Sequence, residues 1–399
     1  MSEVANIPQL RFPEFGDNWE EKKLGNVTSI VMGQSPDSTS YNSNGIGLYL
    51  IQGNADIKKR KTLPRVWTDT PTKECKVGDI IMTVRAPVGA VAKSIHNACI
   101  GRGVCAIRNN QHSVSNYIYQ FLLSFEKKWV KFEQGSTFTA VNTKDVKSLK
   151  LILPPVQEQT KIAAFLTAVD NKIEQLSKKQ ELLGEYKKGL MQKIFSQAIR
   201  FKADDGGDYP DWEELKLGEV ARFRRGSFPQ PYGNPEWYDD EDGKPFVQVY
   251  DVAGNMRLKS TTKRKISVLA QSSSVFVPKG NVVLTIQGSI GRIALTQYDA
   301  YVDRTLLIFT GYIKEVNKQF FIYVIYLLFE IEKIKAPGGT IKTITKEALT
   351  SFKLDLPCFD EQTKIANFLS SIDSKIEQVG KQLDKSKQFK KALLQQMFV

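Results

Sequence analysis

The sequence predicts an α+β protein in which two tandem-repeated mixed α/β globules are joined by two long antiparallel coiled-coil helices, with approximate two-fold symmetry. Three observations predict it: an internal repeat of nearly two hundred residues, a heptad seam after each copy, and a connectivity that sends the second helix back along the first.

The repeat is read from four matches. Trp19-Glu20-Glu21-Lys22-Lys23-Leu24-Gly25 returns as Trp212-Glu213-Glu214-Leu215-Lys216-Leu217-Gly218, and VGDIIMTVRAPVGAVA (Val77 to Ala92) returns loosely as KGNVVLTIQGSIGRIA (Lys279 to Ala294). Lys150 to Pro154 returns as Lys353 to Pro357, and EQTKIAAFL (Glu158 to Leu166) as EQTKIANFL (Glu361 to Leu369). The boundaries that follow are a first globule over 1–155, a long helix over 156–200, a second globule over 201–357 and a second long helix over 358–399. Within the globules, short β-rich runs such as Ile80–Val84 and Val282–Ile286 lie between Gly, Pro and Asn breakers. Helices are expected near Tyr117–Lys131 and Lys318–Lys335.

Each long helix opens behind a proline: Pro154-Pro155 with Glu158 at the positive end of the dipole, then Pro357 with Asp360 and Glu361. Apolar residues recur every seven, at Ile162, Val169, Leu176, Leu183 and Leu190, with Leu166, Ile173 and Ile194 four further on. The second seam runs through Ile365, Ile372, Val379 and Leu393, with Leu369, Ile376, Leu383 and Met397. Ile162, Leu166, Val169, Ile173, Leu176, Ile365, Leu369, Ile372, Ile376 and Val379 are the candidates for helix pairing and partner docking. Gln180 and Lys187 interrupt the first seam and Ser386 and Lys390 the second, as breaks that do not coincide. Forty residues of helix extend about 60 Å, longer than a globule of this size is wide, which favours helix pairing over two helices each lying on its own globule. The first helix leads to globule two through the polar stretch Lys202–Asp211, so a second helix packed along it must run back, antiparallel.

The chain of 399 residues carries 56 basic and 43 acidic groups, a net +13. That excess suits a polyanionic partner, nucleic acid first and an anionic membrane surface second. Residues 1–155 hold 20 basic and 13 acidic groups, and residues 201–357 hold 21 and 20. The first globule is therefore expected to supply more of the salt-dependent affinity. No secretory signal is read at the N-terminus, and the longest apolar run, Phe320–Phe329, is too short to span a bilayer. Four cysteines show no zinc spacing, so no metal site is expected and the cytoplasm is the expected compartment.

Two diverged globules, each followed by a proline-initiated EQTKIA helix, closely resemble the specificity subunit of type I restriction–modification enzymes. The residues that carry the resemblance are Leu153-Pro154-Pro155-Val156-Gln157-Glu158-Gln159 with Lys161-Ile162-Ala163, and Leu356-Pro357 with Glu361 to Ala366. It covers nearly the whole chain. Pro154-Pro155 becoming Pro357-Cys358 is a small departure that leaves the helix start in place. The resemblance implies target recognition domains that read a two-part double-stranded DNA sequence around an unread spacer. It also implies helices that act as ruler and as docking surface for two modification (methyltransferase) subunits, which restriction (translocase and nuclease) subunits then join. S-adenosylmethionine is expected on the modification subunit, ATP and Mg on the restriction subunit, and no cofactor on this chain.

Catalytic signals are missing: there is no Asn-Pro-Pro-aromatic or Asp-Pro-Pro-aromatic run, no Walker loop and no Gly-rich dinucleotide fingerprint. His96 and His112 have no counterparts in the second copy, and Gly288-Ser289-Ile290-Gly291 resembles a phosphate-cradling turn only weakly. Binding candidates are clearer. Arg102 and Arg304 occupy matching places after the central repeat, and arginine forks onto guanine or phosphate, with a structural salt bridge as the alternative. Arg85 is matched by Gln287, and Arg292 adds a cation within the second repeat. Ser136 and Thr137, with Thr340 and Lys342, lie in small polar stretches able to rest on phosphate. Lys58, Lys59 and Arg60 form a basic cluster that is either a backbone contact or a solvated face. Three rivals remain open: a stand-alone two-headed DNA-binding regulator, a DNA-modifying enzyme with an unrecognised site, and a coiled-coil scaffold that never meets DNA.

Overall fold

The computed structural model describes residues 7–134, 141–335 and 344–398. It divides into two compact units, one formed by Met1–Gln180 with Gln378–Val399 and the other by Glu181–Glu377.

In the first unit the buried, β-branched runs form two sheets. One places Thr28–Met32, Val104–Asn109, Ile80–Thr83, Val91–Lys93, Lys61–Thr62 and Ile57–Lys58 side by side; the other runs Tyr41–Asn42, Val66–Thr68, Leu48–Ile51, Ala98–Ile100, Glu74–Cys75. Helix α1 (Ser115–Gln134) covers the first sheet, where Tyr117, Ile118 and Leu122 are fully buried with Ile80 and Ile107. Leu153 then closes a two-stranded ribbon with Glu20, and Pro154-Pro155 ends the strand where helix α2 (Val156–Phe195) begins.

The second unit repeats this plan with fewer strands. Ala221–Arg225, Leu306–Tyr312, Val282–Thr285 and Ile293–Leu295 form one sheet, and Arg264–Ile266, Lys244–Val247, Ala300–Val302 and Val275–Val277 the other. Helix α3 (Lys318–Lys335) packs Phe320, Phe321, Ile322 and Tyr323 into the core, and helix α4 (Phe359–Gln396) follows Pro357. The apolar run at Phe320–Phe329 is thus a core helix. Among the described residues no helix is long and apolar enough to cross a membrane. Cys75, Cys99 and Cys105 are buried free thiols and Cys358 is a half-buried one.

The long helices pair within each unit. In the first, Ile162, Ala163 and Leu166 at the start of α2 share a core with Leu393, Met397 and Phe398 at the end of α4. In the second, Met191 and Ile194 at the end of α2 share one with Ile365, Ala366 and Leu369 at the start of α4. Both pairings are antiparallel. The expectation that the polar breaks fail to coincide holds for Gln180 and Ser386 but is corrected for Lys187 and Lys390, which are related by the same 203-residue offset as Glu158 and Glu361. Lys187 Nζ donates to Asp373 Oδ1 at 2.6 Å in the second unit. Lys390 Nζ donates to Asp170 Oδ1 in the first, and Asp170 and Asp373 share that offset too. What reads as an interruption of an apolar seam is a matched pair of cross-helix ion pairs.

Gly89 and Gly291 explain why the central repeat carries glycine. Both have left-handed backbones (φ 84° and 82°). A Cβ would lie 2.3 Å from Trp129 Cδ1 in the first unit and 2.6 Å from Phe329 Cδ1 in the second. The turn at Gly288–Gly291 is therefore a packing device against α3. Gly89→Ala and Gly291→Ala are each expected to destabilise by about 1–2 kcal/mol from the backbone alone, and by more once the ring is displaced. Urea unfolding measures this; variants as stable as the natural chain would show that turn and ring relax together.

Candidate nucleic-acid interface

Within each globule three segments converge where two parallel strands end. In the first, Leu48–Ile51 and Ala98–Ile100 run parallel. Gly101 N donates to Ile51 O at 2.8 Å, Gln34 N to Ile100 O at 2.8 Å, and Val84 N to Gly103 O at 2.9 Å. These bonds bring Gln34, Ser35, Gln52, Arg85 and Arg102 to one rim. In the second globule Lys244–Val247 and Ala300–Val302 are the parallel pair. Asp303 N donates to Val247 O at 3.0 Å, Ser227 N to Val302 O at 3.1 Å, and Ile286 N to Thr305 O at 3.0 Å. The same frame gathers Ser227, Gln248, Gln287 and Arg304. The paired candidates Arg85 with Arg102, and Gln287 with Arg304, are each brought together, and all four side chains are exposed.

A glutamine that sequence matching does not single out occupies the centre of each rim. Gln52 N donates to Asp56 Oδ2 at 2.8 Å and its Nε2 to the Tyr41 hydroxyl at 3.2 Å. Gln248 N donates to Asp251 Oδ2 at 2.9 Å and its Nε2 to the Tyr232 hydroxyl. Glutamine, aspartate, tyrosine and arginine thus recur in one arrangement in two otherwise diverged globules. The copies differ in closure. Gln52 is exposed, whereas Gln248 is 8% exposed and also accepts from the Tyr250 hydroxyl at Oε1. Tyr232 donates onward to the buried Asp303 at 3.3 Å, and the Arg304 guanidinium lies 5.3 Å over its ring. Burial pushes the Tyr250 phenol up to about 12 and the Tyr232 phenol well up, Asp303 adding to the latter. Both hydroxyls therefore keep their protons at neutral pH and hold the glutamine between them.

The profile of the type I restriction modification DNA specificity domain matches residues 16–183 and again 209–385. The chain belongs to that family. A putative type I restriction enzyme MjaX specificity subunit of Methanocaldococcus jannaschii is 37% identical over 204 residues, a match spanning 50% of this chain and 46% of that relative's length. The type I restriction enzyme MjaVIII specificity subunit of the same organism is 23% identical over 96% of this chain and 92% of its own. The S subunit of a type I restriction-modification system from M. genitalium has the same fold, with a TM-score of 0.66 at 18% identity over 98% of this chain and 99% of that one.

The motif that announces the specificity family is a buried lock. Glu158 is fully buried and accepts from Arg11 Nε and Nη2, both at 2.7 Å, and from Trp19 Nε1 at 3.1 Å. Glu361 accepts from Arg200 Nη2 at 2.8 Å and Trp212 Nε1 at 2.9 Å. The next residue in each copy ties three elements: Gln159 Oε1 accepts from Val114 N at 2.9 Å while its Nε2 donates to Pro154 O at 2.9 Å, and Gln362 does the same with Asn317 N and Pro357 O. The repeated Trp and the repeated Glu-Gln are thus one structural device; Glu158 does more than favour the helix dipole.

Other candidates are placed differently from expectation. Arg60 is tied to Glu126 of α1, with Nη2 at 2.9 Å from Oε2, and to Val91 O at 3.2 Å, with about half of its side chain exposed. Lys58 and Lys59 are exposed beside it, on a turn tied to the helices by Arg60 and by Lys61, which reaches Glu174 at 2.7 Å. Arg292 donates to Val252 O at 3.3 Å. Ser136, Thr137, Thr340 and Lys342 lie outside the described residues. Ile162, Leu166, Leu176, Ile365, Leu369, Ile372 and Val379 are buried within this chain, and Val169, Ile173 and Ile376 are half-buried. Assigning partner docking to the same seven buried side chains is corrected, since a partner must use the outward helix faces. Among the described residues no group of three or more His, Cys, Asp or Glu could hold a metal ion.

Proposed function

We propose that this chain is the sequence-reading subunit of a type I restriction–modification complex. Each globule reads one part of a two-part DNA target through its rim, and partner subunits do the chemistry. The observation that carries this reading is the duplicated rim, in a chain whose family is that of DNA specificity domains. Exposed arginine and glutamine side chains on a rigid strand-end frame are suited to base edges in the major groove, where bidentate donors and acceptors discriminate all four pairs. Two modification subunits would dock on the outward faces of α2 and α4, flip an adenine in each half-site and methylate N6 from S-adenosylmethionine held by the partner. Restriction subunits bearing ATP and Mg would join them, in the cytoplasm. Lys58, Lys59 and Arg292, with Ser136, Thr137, Thr340 and Lys342, are assigned to the DNA backbone, which positions the duplex without reading it.

Mapping N6-methyladenine across the genome of cells with and without the gene tests this. The expected result is complete loss of methylation at one split motif, two short half-sites around a fixed gap. An unchanged map, with the gene expressed and its partner present, would overturn the methylation reading and leave a stand-alone DNA-binding regulator as the better account.

A further inference from the structure

The two rims share a frame but present different chemistry, and that difference is what two unlike half-sites require. In the first globule Gln52 is exposed and its Oε1 carries no bond to either tyrosine position: Tyr41 takes only Nε2, and the residue before Asp56, where the second globule has Tyr250 before Asp251, is Ala55. Its amide therefore keeps an acceptor and a donor for an incoming base. In the second globule both ends of the Gln248 amide are occupied by Tyr232 and Tyr250. Gln248 cannot reach a base without breaking two part-buried hydrogen bonds. It acts instead as a strut, holding Tyr232 between itself and Asp303 as a platform under Arg304. A guanidinium over an aromatic ring, here 5.3 Å from its centroid, is drawn to that side of the rim, which favours presenting its fork to a planar bidentate acceptor.

Resting on the reading above, we propose that Gln52 and Arg304 are the specificity-determining residues of their globules. Gln52 takes the N6 and N7 edge of an adenine in the first half-site, and Arg304, braced on Tyr232, takes O6 and N7 of a guanine in the second. Gln248 and Tyr232 are positioning residues. Two consequences separate this from a merely basic surface. The half-site read by the second globule contains a G·C pair that the first globule does not read. Substitutions at the rim also change which bases are accepted, not only how tightly DNA is held.

The experiment expresses the full-length chain, or its Gln52→Ala, Arg304→Lys or Tyr232→Leu variant, with its partners in cells lacking the gene, and maps N6-methyladenine. Gln52→Ala is expected to widen one A·T position of one half-site, and Arg304→Lys one G·C position of the other, each with a roughly tenfold or greater loss of discrimination. Tyr232→Leu is expected to reproduce the Arg304→Lys change. Where a variant abolishes methylation, the purified complex is tested against duplexes altered at one base pair at a time, and the same loss of discrimination is expected. Variants that keep every base preference of the natural chain overturn the proposal, as does a second half-site with no G·C pair. A natural chain that directs no split-motif methylation defeats the underlying function; an intact motif with insensitive variants defeats only this assignment.

Discussion

Arg11→Ala is expected to destabilise the protein by about 3–5 kcal/mol, because it leaves the Glu158 carboxylate charged inside the protein without its cation. Glu158 is fully buried, and Arg11 supplies two of its three hydrogen bonds, with only Trp19 Nε1 remaining at 3.1 Å. The Glu158 bond in turn pushes the Arg11 guanidinium further toward its charged form. Arg200→Ala in the second unit is expected to cost less, since that guanidinium is more exposed and one of its contacts to Glu361 is longer, at 3.3 Å. The sharper test is the double variant. Arg11→Ala with Glu158→Gln removes the stranded charge and keeps an amide oxygen for Trp19, so it should recover a substantial part of the loss. Urea unfolding of the three chains reads the coupling. A double variant no more stable than Arg11→Ala would mean that the packing of Arg11 over Trp19, 5.9 Å from its ring, matters more than the charge.

Much of this was legible because the repeat is strong at the helices. The nine-residue match from Glu158 locates both helix starts, and the apolar spacing locates the seam that the structure buries. What the motif is for was not legible, because its partners lie elsewhere in the chain. Arg11-Phe12 recurs as Arg200-Phe201, with Phe12 edge-on to Phe165 and Phe201 edge-on to Phe368. That dipeptide recurs at an offset of 189 residues, not the 203 of the helices, so a linear alignment passes over it. The structure explains the mismatch: Leu10 N donates to Gln396 O just as Ile199 N donates to Lys193 O, so the N-terminal segment follows the end of α4 in space as Ile199 follows the end of α2 in sequence. The rim was half legible. Arg102 and Arg304 follow a recognisable repeat, but Gln52 and Gln248 lie in stretches with no shared neighbours, and only the strand frame equates them. The Arg60 ion pair was not legible because a run of basic residues carries no sign of an acid 66 residues away.

Asp373→Ala is expected to cost about 3–5 kcal/mol, because Lys187, 8% exposed, is left cationic in an apolar seam. Asp373 holds two groups: Lys187 Nζ at 2.6 Å on Oδ1 and the Tyr323 hydroxyl at 2.6 Å on Oδ2. Burial first, and then Asp373 itself, push the Tyr323 phenol well up, so it remains a donor and cannot replace the lost anion. The first unit offers the matched control, with Asp170 holding Lys390 on one oxygen and Gln120 Nε2 at 2.7 Å on the other. Asp170→Ala should follow the same direction with a smaller loss, since Asp170 is the more exposed aspartate and its second partner is a neutral amide. Lys187→Met with Asp373→Leu removes both charges and replaces them with apolar volume, and should restore most of the stability lost in Asp373→Ala. The pair then has a cost that apolar packing would avoid, and its presence at both pseudo-equivalent places points to pairing specificity. A lysine and an aspartate on each helix reward the antiparallel alignment in which both pairs close, and penalise any slip that leaves four charges in the seam. Disulfide trapping across the helices of the apolar variant measures this: several trapped alignments are expected where the natural chain gives one, and a single alignment in both would show that the apolar seam alone sets it.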